Sequence, residues 1–442
     1  MFIAQFMGEN ALPVKKGSIA NHRGGVGELG ENLVNHSVVQ KGTIGNTFNK
    51  ALVNHALDDA APTTDHFVEQ ITEEELAKVL GLKPYAGRAL SVTCEQDIIQ
   101  LPQELKSGWE QISAHFDQSG LQHARRVVWN NEFDVALLSE YKDKWMDVFF
   151  YGPEAYRVRP NKKRLYMSES MNDKNNFLHL VDSVGVTIPE TLFFTSKSEV
   201  SDLEQFTYPL VFKINKSVAG LGTKVCKNTS DLLWCLENLR PGVGFHIQKF
   251  LGKDAHFISA QYVLDKGYAR FVTSSCNFIA GETEHEGNWG GPLFAKKFNV
   301  DVDSVCRVIA QEIAHQGGEG WLGIDIGLTA DGFMFPIEAN LRYTAAAYYY
   351  MTACKLEMQD QFWAGRSYGS SKALSELDLG EIAFTPKKGR GWVITNWGPL
   401  VEGNGKVQED GSVKYSCGAL YVGPPDIELH RTEEDKLRTF LA

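Results

Sequence analysis

Apolar and polar positions alternate with a period of two along two adjoining stretches, 323–328 and 333–342. Ala330-Asp331-Gly332 between them has the composition of a tight turn, so the pair reads as a β-hairpin. Residues two apart on a strand share a face, which places Glu338, Asn340 and Arg342 on one side. Elsewhere the period lengthens to that of a helix. Val305, Ile309 and Ile313 mark one face of a helix over 302–316, stopped by Gly317-Gly318. Phe177, Leu178, Val181 and Val184 do the same over 172–184, with Gly185 as the stop. A further helix is expected over 229–239.

Nearer the start, Thr72-Glu73-Glu74-Glu75 has capping-box spacing and opens a helix through Leu80. The first seven residues read as a strand, 104–115 as a helix, and 89–93, 97–101 and 126–129 as short strands. Strands alternating with helices imply an open, mostly parallel sheet. After Met351 the pattern turns to short strands, at 392–397, 406–408 and 419–422, separated by glycine-containing turns. The expected organisation is an N-terminal α/β domain (1–156), a central region (157–371) with a lid subdomain at about 186–255, and a β-rich C-terminal module (372–442).

Composition narrows the classes. The 442 residues are 43% hydrophobic and 22% charged, the balance of a soluble globular chain. A formal net charge of −11 disfavours nucleic acid or an anionic membrane as the main partner. The N-terminus has no basic leader ahead of an apolar core, and no apolar run has the length of a membrane span. Seven scattered cysteines without a CxxC pair suggest reduced thiols in a cytoplasm rather than zinc or disulfides. Gly25-Val26-Gly27-Glu28-Leu29-Gly30 spells GxGxxG, but no strand runs into it and no acid follows at the required distance, so it is set aside as a dinucleotide site.

The chemistry concentrates in the hairpin. Asp325, Glu338 and Asn340 offer two carboxylates and an amide oxygen, a hard-oxygen set suited to magnesium. Arg342 beside them can stabilise a developing oxyanion or phosphate charge. Upstream, the strand Leu210-Val211-Phe212 ends in Lys213. The glycine-containing loop 217–223, a return strand at 223–226 and a strand at 246–251 follow. In this order the parts, within about 172–350, resemble the ATP-grasp superfamily of carboxylate–amine ligases.

The resemblance implies an α/β fold (α+β in part): an ATP-grasp fold with an N-terminal open α/β domain, a central lid and a small β-rich C-terminal module. It implies ATP held by Lys174 and Lys213, a flap of Gly220, Leu221 and Gly222 over the phosphates, and an adenine hinge of Gln248, Lys249, Phe250 and Leu251. Many relatives carry glutamate where Gln248 stands. Asp254 is read equally as the ribose-binding acid or as a solvated loop acid. Two magnesium ions, with manganese as an alternative, would be gripped by Asp325, Glu338 and Asn340, and Arg342 would touch the substrate carboxylate and the phosphoryl group. The segment 282–292, rich in acids and glycine, is expected over the acceptor site with Glu284, His285 and Asn288, or else as an exposed acidic loop. Tyr343 and Tyr348–Tyr350 line a pocket or belong to the core.

The implied activity is ADP-forming condensation of an amino-acid-like carboxylate with an amine, through an acyl phosphate, in peptide or peptide-like product synthesis. Loading of a carrier-protein thiol by the same activation, or a non-catalytic ATP-binding scaffold, are the alternatives. The expected partners are small carboxylates and amines, with a homodimer as the default assembly.

Overall fold

The computed structural model describes residues 43–46, 83–95, 97–101, 103–129, 145–148, 151–215, 222–239, 242–280, 284–376, 378–399 and 415–442. The expected strands at 1–7 and 406–408, the helix at 72–80, the GxGxxG segment, and Gly220 and Leu221 of the flap lie outside them.

Three sheets organise these residues. The first is parallel, in the order β3-β2-β1-β4, from β1 (Thr43–Asn46), β2 (Ile98–Leu101), β3 (Arg126–Trp129) and β4 (Trp145–Val148). The stretch 89–93, expected as a strand, is instead part of a 3-10 helix, Lys83–Val92. Two local forces override its strand-like composition. The Ser91 hydroxyl bonds back to the Arg88 carbonyl at 2.7 Å, a contact that competes with a strand ladder. Ala89, Leu90 and Val92 also find their apolar partners across the molecule, among them Tyr348 and Val393. Helix α1 (Trp109–Gln118) follows, beginning later than the sequence suggests because 103–108 form a 3-10 turn.

After α2 (Pro153–Val158), α3 (Lys162–Met171) and α4 (Lys174–Ser183) comes the second sheet, antiparallel in the order β5-β8-β6-β7. It contains β5 (Thr191–Phe194), β6 (Leu210–Ile214), β7 (Thr223–Cys226) and β8 (Phe245–Lys249), backed by α5 (Thr229–Asn238). Its core is its own, built from residues such as Phe212, Leu232, Leu236 and Phe245.

The third sheet has eight antiparallel strands in the order β13-β12-β9-β10-β11-β14-β16-β15. These are β9 (His256–Asp265), β10 (Tyr268–Ala280), β11 (Glu284–Gly290), β12 (Gly320–Leu328), β13 (Met334–Asn340), β14 (Phe362–Ser370), β15 (Gly391–Pro399) and β16 (Tyr415–Gly423). The C-terminal strands continue this sheet through the β11–β14 ladder. Helices α6 (Pro292–Phe298) and α7 (Val302–His315) precede β12, α8 (Ala345–Lys355) precedes β14, and α9 (Ile427–Leu441) ends the chain.

One face of this sheet packs Ile258, Ile324 and Ile326 against Phe177 and Val181 of α4 and Ile309 and Ile313 of α7. On the other, Tyr348, Tyr349 and Tyr350 of α8 join Trp363, Val393 and Leu420 and the N-terminal Leu90 and Phe116. Those tyrosines, with Tyr343, are therefore core. Lys355 at the end of α8 donates to the carbonyls of Ser91, Thr93 and Gln122, which pins the N-terminal lobe to the helix. Among the described residues no helix is long and apolar enough to cross a membrane.

Two histidines inside these contacts make the fold acid-sensitive. The His115 ring nitrogen accepts the Ile394 amide hydrogen at 2.9 Å, and His430 is enclosed by Phe362, Trp392 and Tyr421. Burial lowers both from the usual 6.5 to about 4. The folded state then resists a proton that the unfolded chain accepts. The associated stability is complete above pH 6.5 and is lost as pH falls toward 4, at up to about 1.4 kcal/mol per pH unit for each histidine. We expect denaturant midpoints to fall between pH 7 and 5, with a shallower fall in His115→Gln and His430→Leu; slopes equal to the unsubstituted protein's would contradict this.

Candidate active site

The acids lie where two strands face each other. Asp325 of β12 is the cross-strand partner of Glu338 of β13, and Gly323 is that of Asn340. The register shifts just after Asp325, so an extra residue, Ile337, is accommodated beside the pair. On its other side Asp325 faces Ser259 of β9. The Asn340 amide donates to Asp325 Oδ2 at 3.2 Å. Burial and the neighbouring Glu338 carboxylate raise the pKa of Asp325. Burial pushes Glu338 the same way, but Lys174, Lys213 and Arg342 outweigh it and hold Glu338 below the ordinary carboxylate range.

Lys174 is the first residue of α4 because Asp173 caps that helix, accepting from the Asn175 and Asn176 amides. Its ammonium lies 3.5 Å from Glu338 Oε2, and its backbone N–H donates to the Asn215 carbonyl at the end of β6. Lys213 approaches from the lid. It donates to Gln248 Oε1 at 3.0 Å, and the Gln248 amide in turn donates to Thr191 at 3.0 Å. Burial lowers Lys213 to about 8 and Lys174 adds to the fall, while Glu338 and Asp325 oppose it. A glutamate at 248 would pair with that ammonium as an ion pair; the amide positions it and leaves its charge to the cleft.

His246 lies opposite Lys213 in the β6–β8 ladder and is fully buried, its Nδ1 2.8 Å from Asn175 Oδ1. Burial, then Lys213 and Lys174, keep its pKa well below 6.5, so it adds no charge beside the two lysines. Gly222, the described end of the flap, has φ +65°, and a Cβ there would lie 2.4 Å from Ile214. Glycine is needed at that root. Lys249 and Asp254 are exposed and Phe250 and Leu251 half-buried, along the segment running from β8 to β9.

From Asp325 a polar chain crosses the sheet. Asn277 of β10 donates toward Asp325, Asn288 of β11 donates to Asn277 Oδ1 at 2.7 Å, and His285 Nε2 lies 3.2 Å from Asn288 Oδ1. The cleft walls, and after them the Arg88 guanidinium, lower the pKa of His285, although its ring keeps contact with solvent. Both effects favour a neutral ring at pH 7. Glu284 is described by its backbone alone. On the opposite face of the sheet, Arg366 bonds to Glu434 at 3.1 Å, lies 3.6 Å from Glu286 and stacks over Phe278.

The structure thus brings Lys174, Lys213, Asp325, Glu338, Asn340 and Arg342 together, with Asn288 and His285 along the same floor. Ser259, Asn277, His246 and Arg366 were not singled out from sequence. His246 and Gln248, polar two apart in an apolar strand, carried a readable signal; Ser259 and Asn277 gain meaning only from register.

Magnesium fits this donor set. Two opposed carboxylates and an amide oxygen are all hard donors, and a divalent cation would offset both the burial and the Glu338 repulsion that raise Asp325. Among the described residues no three His, Cys, Asp or Glu side chains converge, so the site suits an ion that keeps water or phosphate oxygens rather than one fully caged by protein.

No protein-family model and no curated protein sequence matches the chain. Solved structures do. An L-amino acid ligase from Bacillus licheniformis superposes with a TM-score of 0.51 at 12% identity, over 90% of this chain and 97% of that one. N5-carboxyaminoimidazole synthetase from Staphylococcus aureus, complexed with ADP, gives 0.54 at 13% identity over 90% and 97%. The corresponding Aspergillus clavatus synthase, with ADP and its aminoimidazole ribonucleotide, gives 0.51 at 13% identity over 91% and 98%. The chain has the ATP-grasp fold, mixed α/β with several sheets, as the order of its sequence elements implied.

The metal assignment has a direct check. Manganous-ion binding with a non-hydrolysable ATP analogue, followed by electron paramagnetic resonance, should weaken by on the order of 10- to 100-fold or more in Glu338→Gln. Undiminished affinity would remove Glu338 from the ligand set.

Proposed function

We propose that the protein is an ADP-forming carboxylate–amine ligase that activates an amino-acid-like carboxylate and joins it to an amine. One observation carries the reading. Three cations, Lys174, Lys213 and Arg342, surround a paired Asp325–Glu338 between a separately folded lid and the central sheet. Magnesium–ATP, when bound, would supply the phosphoryl group that turns a poor leaving oxygen into an acyl phosphate.

The chain's own residues divide the remaining work. Asp325, Glu338 and the Asn340 oxygen would hold the ions. Lys174 and Lys213 would bind the phosphates, and the backbone at Gly222 would let the flap approach them. Phosphoryl transfer asks of a protein mainly positioning and charge stabilisation, which this set provides. Arg342 lies near both acids and would neutralise charge developing on the substrate carboxylate and the transferring group. The lid would exclude water, against which an acyl phosphate is not stable. Gln248 through Leu251 would carry the adenine. The neutral His285 and Asn288 would orient the acceptor by hydrogen bonds. An L-amino acid ligase among the structural neighbours, and ADP held by two synthetases of the same fold, support this reading.

Phosphate release with pairs of amino acids and small carboxylic acids, and product mass, test it. Arg342→Ala should lose about 2–4 kcal/mol of transition-state stabilisation. Unchanged turnover removes Arg342 from the mechanism. Magnesium–ATP binding without release for any carboxylate would leave a binding protein instead, and turnover only with a carrier protein would make the acceptor a thiol.

A further inference from the structure

A second set of contacts reaches Asp325 from β9. Ser259 lies opposite Asp325 in the β9–β12 ladder, and Gln261, two residues on, lies opposite Gly323. Cross-strand partners share a face of a sheet, as do residues two apart on one strand, so Asp325, Ser259, Gln261 and Gly323 face the same way. A Cβ at Gly323 would lie 2.6 Å from Thr344 Cγ2 and 3.2 Å from Gln261 Nε2. The room that a side chain would take is filled by Gln261 and Thr344. Gln261 and Ser259 are both buried.

These side chains form a hydrogen-bonded line whose direction is set at one end. Thr344 is the N-cap of α8, and its oxygen accepts from the Ala347 amide at 3.1 Å. Its hydroxyl hydrogen goes to Gln261 Oε1 at 2.8 Å. That contact turns the amide so that Gln261 Nε2 donates to Ser259 Oγ, also at 2.8 Å. Ser259 accepts there and has one hydrogen left, which it donates toward Asp325. A donor fixed on one side of a carboxylate leaves the remaining lone pairs aimed elsewhere, and bonds of this kind orient the side chains that grip a metal. The line thus runs through the interior from a helix end to one of the paired acids.

We propose that Gln261 is a positioning residue of the metal site: through Ser259 it holds the Asp325 carboxylate in the orientation that receives the ion, and it ties that orientation to the N-terminus of α8. The role rests on the magnesium reading of Asp325, Glu338 and Asn340. An apolar residue of similar size would fill the space over Gly323, yet it would offer Ser259 no donor and let that hydroxyl turn its hydrogen away from Asp325. At its other end α8 carries Lys355, on the carbonyls of Ser91, Thr93 and Gln122. One helix therefore joins the seat of the N-terminal lobe to the line that ends on Asp325.

A double-mutant cycle on the full chain tests this, read as manganous-ion affinity by electron paramagnetic resonance with the non-hydrolysable ATP analogue present. Ser259→Ala and Gln261→Met should each weaken binding by on the order of 10-fold or more, and the double variant should be no weaker than Ser259→Ala alone. Thr344→Ser, which keeps the hydroxyl, should retain the affinity. Where Gln261→Met fails to fold, Thr344→Val carries the same cycle, because it frees the Gln261 amide to turn over. If Gln261 only filled space, its loss and that of Ser259 would multiply instead. Multiplied losses, or undiminished affinity in the single variants, overturn the proposal. No binding in the unsubstituted protein would sink the metal assignment and this role with it. Binding lost in Glu338→Gln but intact in Gln261→Met would sink the positioning role alone.

Discussion

The arrangement depends on one electrostatic fact: two carboxylates face each other across adjacent strands, and cations drawn from three different segments hold them there. Asp325 and Glu338 cannot share that spacing at low cost unless positive charge surrounds them. Lys174 at the start of a helix, Lys213 at the end of a lid strand and Arg342 just past the hairpin supply it. Each of those positions is fixed by ordinary local chemistry. Asp173 caps α4, Gln248 steadies Lys213, and the hairpin register sets the acids. The excess of three cations over two acids also leaves room for a polyanion.

Neutrality is managed as deliberately as charge. His246 sits against Lys213 as a neutral ring, and Gln248 stands where an acid would have cancelled the lysine. Burial of such groups is costly where their hydrogen bonds are not made; Asn175 meets the His246 Nδ1 and Thr191 the Gln248 amide, while the buried His246 Nε2 has no partner among the described residues. The same economy extends through Asn277 and Asn288, uncharged amides that pass hydrogen bonding from the acids toward His285.

Much of this was legible from local pattern. The alternation around Asp325 and Glu338 fixed the hairpin, and the 3.6-residue periods located α4 and α7 to within a residue or two. The 3-10 helix at 83–92 was not legible, because its apolar run satisfies a strand as well as a turn; partners from α8 and β15 more than two hundred residues away decide between them. The union of the C-terminal strands with the central sheet depends on the β11–β14 ladder, a pairing no local spacing encodes.

The lid's separate core has a consequence for timing. Lys174, both acids and Arg342 are anchored in elements that pack on the eight-stranded sheet, whereas Lys213 and Gln248 belong to a body with an apolar cluster of its own, joined to α4 by Phe193 on His179 and by His246 to Asn175. Any rotation of that body about its connections at 184–190 and 250–255 would carry one ammonium group relative to the other charges of the cleft. In such a rotation the charges on the sheet would meet a ligand first and Lys213 last, so the electrostatic completion of the cleft would coincide with its closure.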